Sequence, residues 1–271
     1  MPAGPLPARN RSPSAPTTPA RRQPPERLEA LLRDLGPQLQ AGKALQETRQ
    51  PRDQAIRHAS GIEGIDELLE GGFPRGELGE ITGPACSGRT SLGFALLART
   101  TDDKGRPREL AAVIDTTDTF DPLSAQAAGV DLCRVLWARV GTTWRDAMRC
   151  TERLLETEGL PLVILDLAPG AAPRARAPSQ PEIPASAWTR LARRAAATRT
   201  ALVVLSDHRR TGTEARMVVE LQPTRAHFSG SPSLLEDIET RAVLVRYRGG
   251  VSGQSARVRL GASGLATGPP G

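Results

Sequence analysis

Eight residues constrain this chain more than any others. Gly83-Pro84-Ala85-Cys86-Ser87-Gly88-Arg89-Thr90 has the G-x-x-x-x-G-K-[ST] spacing of a phosphate-binding loop, with Arg in the lysine place. Such a loop needs a strand before it and a helix after it. Its glycines let the backbone turn so that successive N–H groups point at phosphate oxygens, and the helix N-terminus adds partial positive charge. The flanks meet that need: Glu77 to Thr82 reads as a strand and Thr90 to Arg99 as a helix. Apolar runs of strand length follow at Leu110–Ile114, Val135–Ala138, Leu162–Leu165 and Ala201–Leu205. Trp144, Ala147, Met148, Thr151, Leu154 and Leu155 repeat at helical spacing, as do Trp188, Leu191, Ala192, Ala195 and Ala196. Short apolar runs alternating with amphipathic helices indicate buried parallel strands with crossover helices. Ala215–Leu221, Arg241–Tyr247 and Ser255–Leu260 alternate polar and apolar residues, which predicts antiparallel strands at the sheet edge. The expected fold is therefore α/β, a P-loop core with a mostly parallel twisted sheet, flanking helices and an antiparallel C-terminal edge. The three tryptophans are expected in or near its core.

The chain has 271 residues, enough for one such core plus tails. Residues 1–23 are rich in Pro, Ala and Arg, carry Arg9, Arg11, Arg21 and Arg22 and no acid, and read as a disordered basic arm. Residues 24–42 hold a short helix in which Leu28, Leu31, Leu32 and Leu35 form one stripe. That stripe is a candidate docking face for the chain's own domain, a partner or a second copy. Residues 43–59 read as a linker, 60–260 as the core domain and 261–271 as a low-complexity tail. No apolar run reaches the length of a membrane span, and no apolar segment follows the basic N-terminus as in a secretory signal. Cys86, Cys133 and Cys150 are odd in number and far apart, which argues against a disulfide framework or a zinc ribbon. A reduced, cytoplasmic setting is expected. The net charge is +6 and nearly all of the basic residues are Arg, which suits weak, salt-sensitive binding to DNA without assigning a role to it.

The candidate nucleotide site is Gly83, Pro84, Ser87, Gly88, Arg89, Thr90 and Ser91, with Asp166 at the end of an apolar strand. Thr90 is placed to bind magnesium, and Asp166 suits the carboxylate near that ion. Arg89 departs from the pattern. Lysine is a compact point charge, whereas a guanidinium is planar, larger and strictly a fork. Arg89 either attracts phosphate or fills the site itself. A second Arg-bearing loop, Pro169 to Pro184 with Arg174 and Arg176, reads as an idle surface loop or a phosphate contact.

The stretch Gly61 to Pro84, GIEGIDELLEGGFPRGELGEITGP, resembles the lead-in to the P-loop of RecA recombinases. The resemblance continues at Ile114-Asp115 through Asp121-Pro122, at Ala128 to Asp131 and at Val163 to Asp166, and covers roughly Ser60 to Leu260. It implies that Thr117 stands where RecA has the glutamate that activates water, and that Asp207 stands where RecA has its γ-phosphate-sensing glutamine. A carboxylate at Asp207 would tend to repel γ-phosphate. Lysine, base and sensor are all changed, which argues against efficient hydrolysis. Little space remains after Arg209 for RecA's second DNA-binding loop, and no counterpart of RecA's C-terminal domain is expected.

A short RecA-like chain with an altered ATP site is similar to ImuA, a family sometimes labelled SulA-like. That resemblance implies a non-catalytic accessory or scaffold protein of damage-induced translesion synthesis. Its implied partners are an ImuB-like Y-family polymerase homologue and an error-prone polymerase complex or RecA, with a possible homo-oligomer. No cofactor would be required, though ATP or ADP with magnesium could be held without efficient turnover. Two alternatives stay open. One is a DNA-stimulated ATPase of recombinase type, with Asp115 or Asp118 as substitute base. The other is a regulator that sequesters a cell-division or recombination partner through the leucine stripe.

Overall fold

The computed structural model describes residues 56–102, 109–141, 143–168 and 182–261. The basic arm, the leucine stripe at Leu28, Leu31, Leu32 and Leu35, most of the linker, Arg174 and Arg176, and the C-terminal tail lie outside the described residues. The described strands are β1 (Arg57–His58), β2 (Phe73–Pro74), β3 (Leu78–Thr82), β4 (Ala111–Asp115), β5 (Val135–Arg139), β6 (Leu162–Asp166), β7 (Ala201–Ser206), β8 (Met217–Ser229), β9 (Leu234–Tyr247) and β10 (Ser255–Gly261). The helices are α1 (Glu63–Leu68), α2 (Arg89–Thr101), α3 (Pro122–Ala127), α4 (Trp144–Leu155) and α5 (Ala185–Thr198).

The main sheet has the order β10-β9-β8-β3-β7-β6-β4-β5. Strands β3, β7, β6, β4 and β5 are mutually parallel. The non-sequential order puts helices on both faces, so the central strands must be apolar on both sides. Their side chains alternate accordingly. Val113, Ile164, Val203 and Leu205 point into one core with Leu92 and Leu96 of α2. Ala112, Ile114, Val163, Leu165, Leu202 and Val204 point into the other, with Met148 and Leu155 of α4 and Trp188, Leu191 and Ala195 of α5.

Three expectations need correction. β8 is neither an edge strand nor antiparallel on both sides: Gly79–Thr82 pairs with Met217–Glu220 in parallel, and within this sheet only the β8–β9 and β9–β10 pairings are antiparallel. Its first half is shared between two sheet neighbours and is buried, and its second half has β9 alone. Arg57 and His58, read as linker, form β1 and pair with β2. His58 is buried there against the Thr100 hydroxyl. The tryptophans divide: Trp188 is in the core, Trp144 packs partly against it, and Trp137 stands 36% exposed on edge strand β5. The Trp137 ring lies 5.2 Å from that of Phe120, tilted by 48°, under the Arg139 guanidinium.

Candidate nucleotide site

The loop between β3 and α2 closes as the motif demands. Gly88 is the helix N-cap at φ +90°, a left-handed conformation that strongly favours glycine. A Cβ on Gly83 would lie 2.6 Å from the Leu221 carbonyl oxygen, so only glycine allows β3 to pass β8 this closely. No side chain caps α2, and its first-turn N–H groups remain available to an anion. Ser87 is buried, with its Oγ unpartnered. Thr90 is exposed in the first turn and Ser91 half-buried beside it. This backbone frame and its hydroxyls fit a nucleotide phosphate with magnesium. Thr90 Oγ1 would hold the ion, which would supply neutralising charge.

Arg89 is where the fit changes. Its side chain is buried rather than extended, and Nη1 donates to the Pro84 carbonyl at 3.0 Å, inside the same loop. Its charge also reaches Asp166, which stands beside Asp115 in the β4–β6 register. Burial pushes the Asp166 carboxyl up to about 6; the Ala168 N–H and Arg89 oppose that rise and Asp115 adds to it.

The loops at the ends of β4 and β7 complete the surroundings. Asp115 accepts from three backbone N–H groups, those of Thr117 at 3.1 Å, Thr119 at 3.2 Å and Phe120 at 2.9 Å. Thr117 donates its hydroxyl to the Ala168 carbonyl at 2.9 Å. Asp118 is gripped by the Arg139 fork at 2.8 and 2.6 Å, with both side chains well exposed. Asp207 lies 3.3 Å from Arg210 and 2.7 Å from His208. Burial raises the Asp207 carboxyl, but His208 and Arg210 outweigh it and hold the group below its usual range. Asp207 is thus kept ionised, with Arg210 and His208 beside it.

One residue that shapes the surroundings of the site does not stand out in the sequence pattern. Glu80, in the middle of β3, is fully buried. It accepts from Ser206 Oγ at 3.0 Å, Arg210 N at 2.7 Å, Thr211 N at 3.4 Å and the Thr211 hydroxyl. It ties the loop carrying Asp207 to the strand that feeds the phosphate loop. The signal was present, since an acid inside a buried apolar strand must be satisfied by something.

A family model for the RecA N-terminal domain matches residues 27–207. The chain belongs to that family. It is 33% identical over 135 residues to Protein RecA of Borreliella burgdorferi (strain ZS7), covering 49% of this chain and 36% of that protein. It is 34% identical over 117 residues to Protein RecA of Borreliella afzelii (strain PKo), covering 43% and 31%. The chain spans about a third of the length of these curated relatives. The crystal structure of the RadB recombinase superposes with a TM-score of 0.57 at 20% identity, covering 76% of this chain and 97% of that one. That likeness shows a shared fold. Among the described residues, no helix is long and apolar enough to cross a membrane.

Proposed function

We propose that this chain is a RecA-like accessory protein that works through protein–protein contacts in a damage-induced translesion complex and does not turn ATP over efficiently. The reading rests above all on Arg89. A lysine at this place lies along the β- and γ-phosphates, whereas Arg89 spends a donor on its own loop at Pro84.

The surrounding groups support the same reading. Thr117 has no useful basicity, and its hydroxyl is engaged by Ala168. Asp115, a substitute base in the alternative reading, is committed to three backbone amides. Asp118 faces Arg139. A general base needs a free lone pair within reach of the attacking water; Asp115 is buried and turned onto its own loop, and Asp118, though exposed, is held in the Arg139 fork. ATP or ADP with magnesium binds at Gly83 to Ser91 on this reading, with Thr90 at the ion and Asp166 behind it, as a structural ligand. The partner, by resemblance to ImuA, is an ImuB-like polymerase homologue, with RecA or an error-prone polymerase complex as further candidates. Self-association and weak DNA binding accompany that role.

Membership of the RecA N-terminal domain family, together with the intact glycine frame of the loop, favours a second reading: a DNA-stimulated ATPase of recombinase type. ATP turnover by the purified chain, with and without single-stranded DNA, beside Arg89→Lys, separates the two. The accessory reading expects no stimulated turnover in either protein. Stimulated turnover in the native chain would overturn it.

A further inference from the structure

The outer face of α4 carries a charge pattern that neither the nucleotide site nor the packing of the sheet uses. α4 packs on the face of the main sheet opposite α2, in the second of the two cores. Its buried side is Ala147, Met148, Thr151 and Leu155. Arg145, Arg149 and Arg153 recur every fourth residue and are all exposed. That spacing sets them in one row, about 6 Å apart along the helix axis. The acids of this helix are already engaged. Asp146 accepts from the Thr143 hydroxyl. Glu152 is paired with Arg190 of α5 at 2.5 Å, and Glu156, the C-cap, with Arg194 at 3.1 Å. Among the described residues no acid pairs with the three arginines of the row. Like charges at i, i+4 repel and weaken a helix, and an arginine in the first turn opposes the helix dipole. In return the row makes one contact within the chain, Arg145 over the Trp144 ring at 5.0 Å.

We propose that the Arg145–Arg149–Arg153 face of α4 binds the phosphate backbone of single-stranded nucleic acid without reading its sequence. Two observations select that partner. Among the described residues, none of the exposed large apolar side chains falls on α4 or α5, so the face lacks the apolar anchors on which a protein interface turns. A phosphate backbone needs none, because rows of fork-shaped cations hold it. At the start of the row the Arg145 guanidinium lies over the half-buried Trp144 ring. Unpaired bases stack on such guanidinium and aromatic planes, whereas the bases of a duplex are already stacked on one another. This locates the weak DNA binding that accompanies the proposed function, and it rests on the helix face alone.

The test is fluorescence anisotropy of a labelled single-stranded oligonucleotide of mixed sequence, titrated with full-length protein over a range of salt concentrations. Three phosphate contacts at about 0.7 each contribute about 2 to the slope of log affinity against log salt. Arg145→Gln/Arg149→Gln/Arg153→Gln should lower that slope by about 2 and weaken binding at least tenfold at low salt. Its melting temperature should hold or rise, because repulsion is relieved; a fall would mark the row as structural and overturn the proposal. Arg9→Gln/Arg11→Gln/Arg21→Gln removes the same charge from the N-terminal segment and should leave most of the binding. The reverse ranking overturns the proposal, as does absence of measurable binding by the native chain. A loss seen on a duplex of the same sequence but not on the single strand overturns it too. So does polyglutamate that competes as well as DNA, which would assign the face to an acidic protein. No nucleotide is present, so none of these outcomes depends on ATP turnover.

Discussion

Replacing Glu80 by Gln changes one charge and almost no volume, and the structure sets its cost. The carboxylate is fully buried. One oxygen accepts from Ser206 Oγ and Arg210 N, the other from Thr211 N and the Thr211 hydroxyl. The two hydroxyls can rotate to accept from an amide. The two backbone N–H groups cannot, and they fall on opposite oxygens. Whichever way the Gln amide turns, its nitrogen therefore faces one backbone donor. Loss of charge assistance together with one buried unsatisfied N–H comes to on the order of 3 kcal/mol. At about 2–4 °C per kcal/mol for a domain of this size class, the melting temperature should fall by about 6–12 °C. Thermal unfolding followed by far-UV circular dichroism measures this. Amide exchange at Arg210 and Thr211 should quicken first, because those amides lose the bond. An unchanged melting temperature with unchanged protection at both amides would refute the reasoning.

Two further outcomes follow from the same physics. Asp166 has a folded-state pKa of about 6, above its ordinary 3.8, so the folded chain binds the extra proton between those values and loses stability as pH rises from about 4 to 6. The loss is on the order of 3 kcal/mol, and Asp166→Asn should flatten that part of a stability-against-pH curve from denaturant melts. Trp188→Ala empties a fully buried site between α5 and the sheet and should cost about 3–5 kcal/mol, read as a lower denaturant midpoint at unchanged slope.

What the sequence made legible was what depends on local chemistry. The loop from Gly83 to Thr90 announces itself because a phosphate cradle needs glycine at fixed places. β4, β6 and β7 are visible as apolar runs because both of their faces are covered. β8 defeated the same reading for a physical reason. Its alternation reports that one face of its outer half meets water, and it carries no information on which neighbour lies alongside or in which direction. Pairing with β3 is a long-range event set by how the chain returns after β7. Glu80 was passed over because its partners, Ser206 to Thr211, lie far along the chain, and Trp137 because an aromatic in a short run looks alike in a core and on an edge. The comparisons place the chain among RecA N-terminal domains, while the roles of Arg89, Thr117 and Asp207 in turnover are questions for the assay.

The electrostatics around the phosphate loop explain why those positions belong together. A nucleotide brings several negative charges, and a site that holds it must keep positive charge in reserve. Here the Arg89 guanidinium already serves Pro84 and the Asp166 carboxyl. If it swings out to meet phosphate, the Pro84 carbonyl loses its donor. Asp166 then loses the nearby cation that holds its pKa down, with Asp115 still beside it. If Arg89 stays in place, the phosphates must rely on the α2 N-terminus and the ion. On the proposed reading, either arrangement opposes tight nucleotide binding through the loop's own internal bonds, an opposition that a lysine reaching past Pro84 would not create.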